Sequence, residues 1–150
     1  MANQFRYVRG DTNALALPKY ASDAVEIGDL LFWDDTNNAV RPATNITGTD
    51  YPTKQGNFAA AFIGVALEAK AAGASGNILV ATSGDFVYAC PSGAEYEVRD
   101  YVAIGDGTAV ANQTVVKDAT ASKAIGRVTA SKASTGTTVT IRLLSKLNVA

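Results

Sequence analysis

The chain has 150 residues with 13 Lys and Arg against 14 Asp and Glu, a formal net charge of −1. That length suits one domain able to bury its own core without disulfides or metal, and the scattered basic residues give no electrostatic case for nucleic acid. There is no His and a single Cys, Cys90, which removes His-based triads, the commonest metal ligand, intrachain disulfides and Cys-cluster zinc sites.

The N-terminus, "MANQFRYVRGDTN", has no apolar core of a signal peptide. No window reaches the roughly 18 apolar residues of a membrane span. The expectation is a chain made in a reducing cytoplasm, with no membrane partner. In an extended segment Phe5 and Tyr7 share one face and Arg6 and Val8 the other. "GDTNALAL" reads as a turn leading into Leu15, Leu17 and Pro18. Residues 1–21 are expected to form an arm that lies on the domain or reaches a neighbour.

In "AVEIGDLLFWDDTNNAVRPA" (24–43), Gly28-Asp29 marks a turn and "LLFW" a buried strand. "DDTNN" suits a hairpin loop, because Asp and Asn cap backbone amides and tolerate left-handed geometry. "AVRPA" is the return strand, with Pro42 near its end. Residues 44–58, "TNITGTDYPTKQGNF", read as a long polar loop. "AFIGVALEAKAAGASGNILVATSGDF" (61–86) invites two readings, a helix over Ala66–Ala74 or two strands joined by a small-residue turn. Strands are expected over 77–84 and 85–93.

The last third of the chain bears on that choice. "YEVRDYVAIGDGTAVANQT" repeats the layout of "VEIGDLLFWDDTNNAVRPA", with Asp100 in the place of Asp29. "AIGRVTASKASTGTTVTIRLL" repeats "FIGVALEAKAAGASGNILVAT", with Ile125-Gly126 and Lys132 in the places of Ile63-Gly64 and Lys70. The second copy is poor helix, since Thr129, Ser131, Ser134 and Thr135 disfavour a helix interior. Val139, Ile141 and Leu143 alternate as in a half-buried strand. Residues 63–69 are therefore expected to be a strand and "AKAAGASG" a turn, a one-turn helix being the alternative. The fold class expected is mainly β: two related β-units forming a pseudo-symmetric sandwich or barrel with little helix. Residues 22–150 form one β-domain of two repeats, about 22–93 and 94–146, the first carrying an insertion over about 46–58.

Candidate sites are thin. Asp29, Asp34 and Asp35 fit turn chemistry better than a cation loop. Glu95, Glu97 and Asp100 could form an acid/base set, but nothing in the sequence sets them across a cleft. "RGD" (Arg9–Asp11) is a triplet that recurs by chance. Cys90 reads as a small buried hydrophobe, and "GASGN" lacks the Lys-Ser/Thr of a phosphate loop. The expectation is no enzyme, no catalytic residue, no cofactor and no metal.

The elements "GD-LLFW-D" (Gly28, Asp29, Trp33, Asp34) and "IGVALEAKAAG" (Ile63, Gly64, Val65, Ala66, Glu68, Ala69, Gly73) resemble the phage capsid cement, or head decoration, family. The resemblance implies a structural virion protein of a bacteriophage that binds the outside of an assembled capsid and stabilises it by bridging major capsid proteins. It further implies a homo-oligomer, trimer favoured and dimer possible, located on the capsid exterior after synthesis in the host cytoplasm. Partner contacts are then expected in the arm and the insertion, with Phe5, Tyr7, Arg9, Tyr51 and Phe58 as anchors, because aromatics and Arg dominate interface energetics. The rival reading is a carbohydrate-binding or adhesin-like surface module using Trp33, Tyr51 or Tyr88 as stacking platforms.

Overall fold

The computed structural model describes residues 6–148; Phe5 lies outside the described residues. Short strands alternate with tight turns: β1 (Tyr7–Arg9), β2 (Leu15–Pro18), β3 (Leu30–Asp34), β4 (Ala39–Pro42), β5 (Phe62–Ala66), β6 (Asn77–Ala81), β7 (Asp85–Ala89), β8 (Tyr101–Ile104), β9 (Val115–Lys117), β10 (Gly126–Ala130) and β11 (Thr138–Leu143). One α-helix, α1 (Tyr51–Ala61), separates β4 from β5. The strands form two antiparallel sheets with the same internal order. The first runs β2-β6-β5-β3-β4, and the second β7-β11-β10-β8-β9 with β1 added outside β7.

The registers coincide as well. Leu31 faces Gly64 in the first sheet, and Val102 faces Gly126 in the second. Val25 and Lys70 exchange backbone hydrogen bonds of 2.9 and 2.8 Å, while Tyr96 and Lys132 exchange bonds of 3.1 and 2.9 Å. In the turn before β3 the Glu26 amide donates to Asp29 Oδ2 at 2.9 Å, and before β8 the Glu97 amide donates to Asp100 Oδ2 at 2.8 Å. Each pair sits where the sequence comparison sets its residues in parallel. Between the end of α1 and the start of β7 the stretch resolves as two strands, Phe62–Ala66 and Asn77–Ala81, with no helix between them.

Of the two expected architectures, the closed barrel is not formed. Each sheet is open, yet curls until the shared five-strand order meets itself at one bridge, Lys19 after β2 with Val40 on β4 and Ala89 on β7 with Thr114 before β9. Curling gives each sheet an apolar interior, because alternate side chains point inward. Leu31, Val40, Ile63, Ile78 and Val80 fill the first; Val102, Val115, Ile125, Val139 and Ile141 occupy the matching places in the second. The other face of the first sheet packs on the interior face of the second: Leu30, Phe32, Phe62 and Val65 join Phe86 and Tyr88, the partners of Ile141 and Val139, and Ile104 in one continuous core. Burying each such side chain contributes about 1.5–3 kcal/mol.

The sequence reading of 44–58 as a loop is corrected. Ala43–Asn45 form a 3-10 turn and Tyr51 opens α1. Asp50 caps the helix, its Oδ1 accepting from the Thr53 amide at 2.8 Å, and Pro52 stands in the first turn, where no intrahelical N–H is needed. The segment hides its helicity because Gly56 interrupts it and its apolar residues cluster at the end. The signal that finds it is Asp-x-Pro at the start, not periodicity.

Candidate interaction surface

The expected contact residues fall into different environments. Tyr7 and Arg9 lie on β1, which is exposed along its length. Tyr7 is 37% exposed; its ring sets an edge against Phe86 with centroids 5.9 Å apart, and its hydroxyl donates to the Gly10 carbonyl at 2.7 Å. Arg9 Nε donates to Asp85 Oδ2 at 2.8 Å while its side chain remains 57% exposed. Asp85 also accepts from Arg142 Nε at 2.8 Å and Nη2 at 3.2 Å. Burial pushes the Asp85 carboxyl up, but its bonds to Arg142 and Arg9 outweigh that and hold it below the usual carboxylate range. The Arg9–Gly10–Asp11 triplet is a turn tied to the fold. Gly10 takes φ +93°, Asp11 Oδ1 caps the Asn13 amide at 2.9 Å, and the Asp11 carbonyl accepts from the Ser83 hydroxyl.

Just before β1, Arg6 is buried between the sheets. Its Nε donates to Gln113 Oε1 at 3.0 Å and its Nη1 to the Val87 carbonyl at 3.1 Å, with the guanidinium 5.0 Å from the Tyr88 ring centroid. Gln113 passes the contact on, donating to Asp29 Oδ1 at 2.8 Å. Burial pushes the Asp29 carboxyl up, against the bonds from Glu26 and Gln113. A polar chain thus joins the first residues described to the turn before β3.

Tyr51 and Phe58 serve packing. Phe58 is fully buried, 5.9 Å from Phe32 and 5.5 Å from Phe62 by ring centroids, so its side chain presents no surface to a partner in this fold. Tyr51 is half-buried; its hydroxyl donates to the Ile104 carbonyl at 3.3 Å and accepts from the Gly107 amide at 3.0 Å. With Gln55 Nε2 donating to the same Ile104 carbonyl at 3.1 Å, these bonds fasten α1 to the turn after β8. The insertion from the first half therefore clamps the second.

The other candidates are engaged or dispersed. Tyr88 is fully buried with its hydroxyl donating to the Gly28 carbonyl at 2.7 Å, so it is no stacking platform. Trp33 is half-buried beside Leu17, Ile63 and Leu147 along an open cleft of about 410 Å³. Asp100 is held below the usual carboxylate range by its hydrogen bond with Lys117, and Glu95 does not line the cleft that Asp100 borders. Asp34 caps the Thr36 amide at 3.0 Å and accepts from the Asn37 side chain at 2.6 Å, the turn role expected of it. Cys90 is buried, and burial pushes its thiol up.

A family model described as phage cement protein matches residues 8–82. The chain belongs to the phage cement protein family. That family supplies structural components of phage capsids with a stabilising role, in keeping with the virion association that the sequence resemblance implies. The matched segment holds all five strands of the first sheet and α1, whereas β7–β11 of the second sheet lie beyond it. No curated protein matches the chain. No described helix is long and apolar enough to cross a membrane.

Proposed function

We propose that this protein binds the outside of an assembled phage capsid and stabilises it by bridging neighbouring major capsid proteins, as a homo-oligomer with a trimer favoured. The observation that carries the reading is the family match over residues 8–82. A bridge resists strain only if it is stiff, and the two sheets are tied together by α1, through Gln55 and Ile104, and by the Arg6–Gln113–Asp29 chain. A ligand that binds the assembled shell but not the free subunits stabilises the shell by mass action. Many copies multiply a modest gain per site.

The reading includes residues 22–150 as one domain built from two copies of one unit, onto which the arm, residues 1–21, adds β2 as a further strand of the first sheet. The protein is made in the host cytoplasm and displayed on the capsid exterior. The equal strand orders and matching registers support it, and the correspondence reaches back to β2 and β7, which flank β6 and β11 alike. Of the expected anchors, Tyr7 and Arg9 keep exposed surface and form the contact edge in this reading; Tyr51 and Phe58 hold α1 in place. The test is incubation of the protein with expanded, undecorated heads. Co-sedimentation and a higher temperature of DNA release are expected. Heads that sediment bare and rupture at an unchanged temperature refute it.

A further inference from the structure

Side chains directly opposite one another on antiparallel strands share one face of the sheet. Across the second sheet Tyr101 faces Arg127, Arg127 faces Arg142, Arg142 faces Asp85, and Asp85 faces Arg9. Their neighbours Val102, Val128, Ile141 and Phe86 point into the core, so this row crosses β8, β10, β11, β7 and β1 on the outer face. It carries three arginines and a single aspartate, in a chain whose net charge is −1.

The one carboxylate is shared by Arg9 and Arg142. Arg127 stacks over the Tyr101 ring at 4.4 Å and donates from Nη2 to its hydroxyl at 2.7 Å, but has no carboxylate partner among the described residues. It stands directly opposite Arg142, 63% exposed, and like charges in that relation destabilise a sheet. A fourth arginine, Arg99, lies in the turn before β8. Its side chain is exposed and makes no hydrogen bond or ion pair among the described residues, while its amide donates to the Val128 carbonyl at 2.9 Å and its backbone holds φ +84°. A non-glycine residue in that region is strained, and such strain persists where it serves a purpose.

Val98, Arg99 and Arg127 together line two neighbouring clefts. One, of about 520 Å³, includes Tyr101 and Lys117; the other, of about 240 Å³, includes Arg142 and Leu144. The carboxylates bordering the first already have cations, Asp100 with Lys117 at 2.8 Å and Asp118 with Lys123 at 3.7 Å. Two guanidiniums are left over, beside an apolar floor on which Val98 is 53% exposed.

We propose that the Arg99–Arg127–Arg142 surface is a docking site for an acidic segment of the capsid shell protein. The proposal rests on the capsid reading above. Planar guanidinium forks take carboxylates in bidentate pairs, and a bound carboxylate relieves the opposition of Arg127 and Arg142. The apolar floor and the stacked Tyr101 favour a protein partner over a phosphate backbone, which calls for a longer run of cations.

The experiment measures binding to undecorated heads by wild type, Arg99→Gly and Arg127→Gln at two salt concentrations. Gly28 already occupies the place of Arg99 in the matching turn, so Arg99→Gly keeps the fold. The expected result is an affinity about ten-fold weaker for each variant, a wild-type affinity that falls with salt, and a melting temperature for Arg99→Gly no lower than wild type. Variants that bind as tightly as wild type overturn this surface and leave the capsid reading standing. Wild type that leaves heads bare overturns both. Retention of short duplex DNA by wild type, lost in both variants, overturns the acidic-protein partner in favour of phosphate.

Discussion

Gly28 and Arg99 occupy the same place in two matching turns, with φ +92° and +84°. Glycine takes that conformation freely, whereas an L side chain there costs about 1–2 kcal/mol. Arg99→Gly is therefore expected to raise stability by about 1 kcal/mol, offset in part by the greater freedom of the unfolded chain. Gly28→Arg is expected to lower it by at least as much. Urea unfolding midpoints check both, and equal midpoints for wild type and Arg99→Gly would show that the turn stores no strain.

Gly64 and Gly126 mark the tightest approach in each sheet. A Cβ on Gly64 would come within 1.9 Å of the Ala81 carbonyl oxygen, and one on Gly126 within 2.9 Å of the Arg142 carbonyl oxygen. Backbone oxygens in a paired strand cannot step aside without breaking the ladder. Gly64→Ala is expected to cost more than about 3 kcal/mol and Gly126→Ala less. Thermal melts of the two variants check the order.

The helix that carries the insertion depends on its cap and its aromatic anchor. Asp50→Ala is expected to cost about 1 kcal/mol. Phe58→Ala is expected to cost about 3–5 kcal/mol, because the ring lies between Phe32 and Phe62. Loss of capsid binding by Phe58→Ala should therefore coincide with loss of the cooperative melt. Circular dichroism run beside the sedimentation assay separates a folding defect from a contact defect.

Two buried carboxylates titrate in opposite senses. Asp85 is held low by its arginines despite burial, so unfolding takes up a proton as the pH falls. Its contribution is complete above the unfolded value of about 4 and is lost as pH drops through the lower folded value. Asp29 is pushed up by burial, so the folded state holds its proton longer, and its contribution declines as pH rises from about 4 through the raised value. Asp85→Asn should therefore flatten the acid limb of the stability profile and cost about 2 kcal/mol at neutral pH. Asp29→Asn should flatten the fall on the other side. Denaturant titrations from acid to neutral pH read both slopes.

Much of the scaffold is legible in the sequence because the two copies comment on each other. "AKAAG" is ambiguous alone, and "SKASTG" removes the ambiguity through Ser and Thr, which resist a helix interior. Lys70 and Lys132 pair with Val25 and Tyr96 as the matching layout implies. The likeness of β2 to β7 escapes notice, since "LALP" is largely exposed and "DFVYA" largely buried, and side chains follow burial rather than topology. The helix is missed because its start signal is local while its pattern is irregular. The arginine row is invisible in sequence for a different reason. It depends on the register of five strands, and residues 9, 85, 101, 127 and 142 share no spacing.

The position of β1 sets a timetable for synthesis. Tyr7 and Arg9 leave the ribosome well before their partners Phe86 and Asp85, which follow more than seventy positions later and are secured by β11, later still. Pairings so distant in sequence form slowly. The first sheet, complete by Ala81, can assemble while the opening segment waits. β1 thus docks only after β7 and β11 have been made, and until then a nascent chain displays the basic, aromatic "FRYVR".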